Sequence, residues 1–242
     1  MGPPGPVPEK TRLVNHAAFI QNEIEMPIVS ILLFHLIVVL SLSSCSKKGL
    51  TIKIGDQDVL ALGSIDACNF VQNSQGLRVS WKSSTPVSFI ISPGVPPQYD
   101  ATIAKAAAIW NTYLKMELIR VVRDNGVTNP PGDDRFNVIY WMTDWPADQN
   151  MEQARTAIRW DISKLRDADI KINAKNFEFY AEGENGSAGK ISLLSLLLHE
   201  MGHGAGLKHI LDGSSIMQTH LASNTDRVTP TKTDIESLEC EY

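Results

Sequence analysis

Residues 199–209 read His-Glu-Met-Gly-His-Gly-Ala-Gly-Leu-Lys-His and contain three of the six histidines in the 242-residue chain. His199 and His203 are four residues apart, so on an α-helix both imidazoles leave the same face and can bind one metal ion. Glu200 occupies the next position around the helix, where its carboxylate misses the metal but can reach a water molecule bound to it. The stretch therefore predicts a metal site on a helix, with a carboxylate beside it.

A sharp turn after this helix can bring a third histidine to the same ion. Gly204 and Gly206 follow the two helical histidines, and glycine adopts the backbone angles of such a turn without steric cost. His209 then approaches from the other side. Borderline-soft Zn²⁺ suits three imidazoles better than Mg²⁺ or Ca²⁺ does, and three protein ligands leave one position open for water. The spacing predicts one catalytic zinc, held by His199, His203 and His209.

The same eleven residues resemble the zinc signature of the metzincin peptidases, which have His, Glu, His, Gly and His at these spacings. Ser215-Ile216-Met217 stands where those enzymes carry their Met-turn, and Gly202 and Leu207 are most similar to the matrixin branch. No histidine lies between His35 and His199, so the three-histidine structural zinc of vertebrate matrixins cannot form. The resemblance is therefore to a bacterial matrixin-like enzyme.

This resemblance covers about residues 78–242 and implies both a fold and an activity. The fold would be an α+β metzincin-like catalytic domain with a twisted mixed sheet, two main helices, a Met-turn with Met217 below the zinc ligands, and a C-terminal helix. The activity would be a zinc-dependent endopeptidase in which Glu200 is the general base for a metal-activated water. A peptide or protein substrate would bind in extended form along an edge strand, which the resemblance identifies with Ile170–Asn173. Matrixins often bind calcium, and the Asp124–Asp134 loop is either a Ca²⁺ site or a solvated acidic loop.

Hydrophobic patterning predicts the elements around this site. β-branched and aromatic runs predict strands at Leu50–Ile54, Val87–Ile91, Leu118–Val122, Phe136–Trp141, Thr156–Trp160, Ile170–Asn173 and Phe177–Tyr180. Apolar periodicity and a capping box predict helices over Tyr99–Met116, Ile191–His203 and Thr231–Leu238. The order of these elements predicts one α/β sandwich-like domain with a mixed sheet.

The first 45 residues have the pattern of an export signal. Fifteen mostly apolar residues, Ile28–Leu42, are too few to span a bilayer, which takes about 20, but match the core of a signal peptide. They end in Leu-Ser-Ser-Cys45, which resembles the lipobox of bacterial lipoproteins, and Ser46 after the cysteine implies the outer membrane of the cell envelope. A buried helix is the alternative, and Met26 is an alternative start to Met1. The predicted organisation is signal peptide and upstream residues over 1–44, lipidated Cys45 and tether over 45–77, and catalytic domain over 78–242.

Two cysteines remain when Cys45 is set aside. Cys68 and Cys240 form an even pair near the two ends of the remaining chain. In an oxidising compartment such a pair predicts a disulfide that closes a long loop. Two unrelated buried thiols are one alternative, and a metal-capping thiolate at Cys68 is another.

Composition excludes several classes of function. The chain is 43% hydrophobic with a formal net charge of −5, so it is neither a disordered chain nor a basic nucleic-acid binder. The predicted partners are a peptide or protein substrate and, through the lipid anchor, a membrane. A non-catalytic zinc-binding envelope lipoprotein that uses the fold for protein binding is the alternative. Such a protein would be expected to lose a ligand or Glu200, and neither is lost here.

Overall fold

The computed structural model describes residues 52–54, 57–59, 68–181, 184 and 189–242. The predicted signal peptide, the lipobox and Cys45 lie outside these residues. Two short strands, β1 (Ile52–Ile54) and β2 (Gln57–Val59), pair antiparallel. Within the residues described, no helix has the length and apolar character needed to cross a membrane.

Five strands form the central sheet, in the spatial order β4-β3-β5-β7-β6. In chain order these strands are β3 (Val87–Ile91), β4 (Ile119–Arg123), β5 (Asn137–Met142), β6 (Ala154–Asp161) and β7 (Lys164–Asn173). β3 is parallel to β4 and to β5, β5 is parallel to β7, and β6 runs antiparallel to β7. The predicted α+β fold with a mixed sheet is therefore confirmed.

The predicted edge strand lies inside the sheet. Ile170–Asn173, in β7, pairs with β5 on one side and with β6 on the other. The prediction that it forms the edge is wrong, because β6 is the last strand of the sheet on that side. The backbone of Ile170 and Ile172 needs two neighbours to satisfy its hydrogen bonds, and both side chains are fully buried.

β7 also begins earlier than its apolar pattern predicts, at Lys164. Two acidic residues, Asp167 and Asp169, interrupt the pattern, yet both side chains are buried. The guanidinium of Arg159 forms an ion pair with Asp167 and lies 3.5 Å from Asp169, and backbone N–H groups donate to both carboxylates. A search for periodic apolar residues does not detect buried charges that ion pairs and hydrogen bonds compensate in this way.

The described residues form three α-helices, α1 (Asp100–Leu114), α2 (Leu193–Gly204) and α3 (Lys232–Leu238). α1 and α2 pack on the sheet, and α3 contacts α1. Trp110 of α1 is fully buried against α2, where its indole N–H donates to the Leu198 carbonyl at 3.0 Å. α2 begins two residues later than predicted, because Ile191–Ser192 instead forms strand β9 with β8 (Phe179–Tyr180). The Ser192 side chain then caps α2 by accepting from the Ser195 N–H.

The predicted disulfide joins Cys68 to Cys240, across a sequence separation of 172 residues. The alternatives of separate thiols and of a thiolate at Cys68 are thereby overturned. Glu241, next to this bond, forms ion pairs with Arg78 and Lys82. Tyr242 donates its hydroxyl proton to the Ala205 carbonyl at 2.6 Å, so the C-terminus is tied to the end of α2.

Candidate metal centre

The three predicted ligands converge at the end of α2. Their Nε2 atoms are separated by 3.0 Å between His199 and His203, 3.2 Å between His199 and His209, and 3.0 Å between His203 and His209. A tetrahedral zinc with Zn–N bonds of about 2.0–2.1 Å separates two ligand nitrogens by roughly 3.3–3.4 Å. The donor set and its spacing therefore fit one zinc ion.

Hydrogen bonds fix the direction in which two of the imidazoles point. His199 donates from Nδ1 to the Ile216 carbonyl at 2.8 Å, and His203 donates from Nδ1 to the Leu207 carbonyl, also at 2.8 Å. Each Nε2 is then the unprotonated nitrogen and faces the other two rings. Burial also lowers the pKa of His199 and of His203 to about 4, so both rings are neutral ligands at neutral pH.

Two glycines shape the turn that leads to His209, for different reasons. Gly206 has a φ of +105°, and a Cβ there would lie 2.5 Å from the Val79 carbonyl oxygen. Gly204 is the last residue of α2, and a Cβ there would lie 2.7 Å from the Phe89 ring. Gly206 is therefore needed for its backbone conformation, as predicted, whereas Gly204 is needed because a larger residue would clash with the Phe89 ring.

The Met-turn lies against the helix that carries the first two ligands. Met217 is fully buried, and a Cβ on Gly202 of α2 would approach its sulfur to 2.4 Å. The buried carboxylate of Asp234, on α3, accepts hydrogen bonds from the Ser215 hydroxyl at 2.5 Å and from the Ile216 N–H at 3.0 Å. The capping box revealed Asp234 as a helix cap, but its second role in holding the Met-turn has no signal in the sequence.

The side chain of Glu200, the predicted general base, is buried next to the three histidines. Glu200 is 4% exposed, and burial raises the pKa of its carboxylate. Its Oε2 accepts a hydrogen bond from the Thr156 hydroxyl at 2.6 Å. Thr156 lies on β6 and was not singled out by the sequence, because a single threonine in a strand carries no functional pattern.

A cleft of about 530 Å³ passes over the three histidines and Glu200. Its lining includes Ala154–Thr156 of β6 and Gln218–Leu221, which follows the Met-turn. His220 is exposed and also lines this cleft. The arrangement offers a metal site and a carboxylate at the floor of an open groove with a strand edge along it.

The acidic Asp124–Asp134 loop does not gather its carboxylates into a comparable cluster. Asp133 forms an ion pair with Arg166, and Asp134 accepts a hydrogen bond from the Asn129 side chain at 2.9 Å. In the part of the chain that the structure describes, the three histidines are the one group of side chains placed to share a metal. Calcium binding by this loop stays a prediction.

Comparison with known families agrees with this geometry. Residues 132–242 match the family model described as Matrixin, a peptidase family. The matched region contains the three histidines, Glu200 and Met217, together with the cleft strand β6. The chain has no match among curated proteins. The match and the three converging imidazoles together support a metzincin-type peptidase domain with a zinc site in this region.

Proposed function

We propose that the protein is a zinc-dependent endopeptidase. The observation that carries this proposal is the convergence of three Nε2 atoms, 3.0–3.2 Å apart, beside a buried carboxylate on the floor of a cleft. His199, His203 and His209 would hold the zinc. When bound, Zn²⁺ supplies a Lewis acid that polarises the scissile carbonyl and lowers the pKa of water.

Glu200 moves the proton in this proposal. Its carboxylate accepts a proton from the attacking water and then donates it to the nitrogen of the leaving amine. Its burial supports this role, because a raised pKa brings the carboxyl group closer to the pH at which one residue can both accept and return a proton. The same residue therefore serves as base and acid.

β6 receives the substrate. It pairs with β7 on one side, and as the last strand of the sheet it has backbone N–H and C=O groups available on the other. An extended peptide would add to this edge by main-chain hydrogen bonds, with its side chains alternating between cleft and solvent.

The test is hydrolysis of a peptide library by the zinc-reconstituted protein, with and without a chelator. Glu200→Gln removes the base and retains the three neutral ligands, so we expect full zinc content and at least about a 100-fold loss of hydrolysis. Glu236→Gln, on the more exposed side of α3, is the matched control and should retain activity. Zinc binding without hydrolysis of any library peptide by the unmodified protein would favour the non-catalytic binding function instead.

We also propose export to the cell envelope of a bacterium, with a lipid anchor on Cys45. The lipobox-like sequence supports the anchor, and the Cys68–Cys240 disulfide supports an oxidising compartment. Cys45→Ser should move the protein from the outer-membrane fraction to the soluble fraction or leave it unprocessed. Unchanged fractionation of this variant would contradict the anchor and leave the peptidase proposal unaffected.

A further inference from the structure

Thr156 contacts the general base from the strand that borders the cleft. It is the third residue of β6 and stands opposite Ile170 of β7. Its hydroxyl oxygen lies 2.6 Å from Oε2 of Glu200 and 3.1 Å from the Glu200 carbonyl oxygen. A hydroxyl has one proton to donate, and the shorter contact to a carboxylate oxygen is the stronger of the two bonds.

The Glu200 carboxylate depends on this one residue. Among the residues that the structure describes, the groups that donate hydrogen bonds to it belong to Thr156. Because the Glu200 side chain is 4% exposed, few other protein groups can reach its carboxylate. The Thr156 hydroxyl and backbone N–H therefore act together on how the carboxylate is rotated about its last side-chain bond, and the hydroxyl makes the 2.6 Å contact to Oε2.

We propose that Thr156 is a positioning residue for Glu200, an inference that rests on the proposed peptidase function. The hydroxyl holds Oε2 and thereby helps to fix the orientation in which the carboxylate meets the water. β6 would then both receive the substrate backbone and align the base that acts on it. A purely structural role is the competing explanation, in which the hydroxyl ties β6 to α2 through the backbone carbonyl of Glu200.

Two variants of Thr156 distinguish the effect of its hydroxyl from the effect of its side-chain shape. Thr156→Val keeps the shape and removes the hydroxyl, whereas Thr156→Ser keeps the hydroxyl. For the zinc-loaded protein we expect kcat of Thr156→Val to fall about 10- to 100-fold, with KM changed less than about threefold, because a hydrogen bond to a charged group is lost. Thr156→Ser should restore most of kcat. Thr102→Val, at a buried threonine of α1, is the matched control and should leave both constants unchanged.

A second measurement needs no activity. Urea unfolding of the zinc-free protein gives a double-mutant cycle from Thr156→Val, Glu200→Ala and the combined variant. If the hydroxyl holds the carboxylate, Thr156→Val should change the unfolding equilibrium constant at least about fivefold less in the Glu200→Ala background. An equal change in both backgrounds would assign the hydroxyl to the backbone carbonyl and overturn the inference.

The outcomes distinguish this inference from the function on which it rests. Hydrolysis by the unmodified protein together with an unchanged kcat in Thr156→Val overturns the positioning role and leaves the peptidase function standing. Absence of hydrolysis by the unmodified, zinc-loaded protein overturns the peptidase function and the positioning role with it. A loss that appears in KM instead of kcat also overturns the positioning role, since it places Thr156 in substrate binding.

Discussion

Gly206→Ala should disrupt the metal centre without changing any ligand. At a φ of +105° an alanine is strained by about 1–3 kcal/mol. Its Cβ would also lie 2.5 Å from the Val79 carbonyl oxygen, and a backbone atom cannot rotate away as a flexible side chain can. We expect the backbone strain and the steric clash together to lower the free energy of unfolding by about 3 kcal/mol or more. The turn that relaxes is the one that brings His209 to the other two histidines, so zinc affinity should fall as well.

Two other glycines provide matched controls for the two components of this effect. Gly76→Ala places alanine at a φ of +74° with no atom within 4 Å of the new Cβ, and therefore measures backbone strain alone. Gly213→Ala meets no atom within 4 Å and is not at a positive φ, so it should be nearly neutral. Urea unfolding and competition with a zinc chelator should give the order Gly206→Ala, Gly76→Ala, Gly213→Ala, from the largest loss of stability to the smallest. A Gly206→Ala protein as stable as Gly213→Ala would refute the reasoning.

Three further predictions follow from the contacts around the site. Replacing Cys68 and Cys240 together by Ser opens a loop with a sequence separation of 172 residues and should lower the free energy of unfolding by about 5 kcal/mol, measured against the unmodified protein with and without reductant. Asp234→Ala leaves buried donors of the Met-turn unpaired, so thermal unfolding should reveal a loss of about 3 kcal/mol and zinc affinity should fall. Because the pKa of His199 and of His203 is about 4 in the fold and about 6.5 in the unfolded chain, the unfolded chain binds protons first. Their contribution to the stability of the zinc-free protein is therefore present above about pH 6.5 and decreases toward about pH 4, which urea unfolding at several pH values will measure.

The three histidines that are placed to share a metal ion could be predicted from the sequence because their arrangement is largely local. His199 and His203 share a helical face through the 3.6-residue period alone, and Gly206 permits a turn within the next few residues. The cap of α3 is local too, since Thr231 and Asp234 satisfy each other's backbone groups within one turn. Interactions between residues that are near each other in the sequence produce a recognisable spacing of residue types.

The strand that borders the cleft could not be identified in this way. Apolar alternation in Ile170–Asn173 predicts a strand correctly, but it does not say how many neighbours that strand has. β6 has half-buried residues of mixed character, and its place at the end of the sheet depends on the order in which five strands pair. Strand order is a property of the whole sheet, so the resemblance predicts the wrong strand as the edge.

The sequence by itself determined which three histidines are placed to share a metal ion, the carboxylate beside them, the helix that presents two of them and the presence of a mixed sheet. Only the tertiary structure decided which residues meet across long stretches of chain. Thr156 reaches Glu200 from 44 residues away, and Asp234 reaches the Ile216 N–H from 18 residues away. The pairing of Cys68 with Cys240 depends likewise on bringing together two residues that are 172 positions apart. The physical reason is that a side chain's type and spacing record its local conformation, whereas a contact between distant residues exists only after the core has packed and brought their elements together.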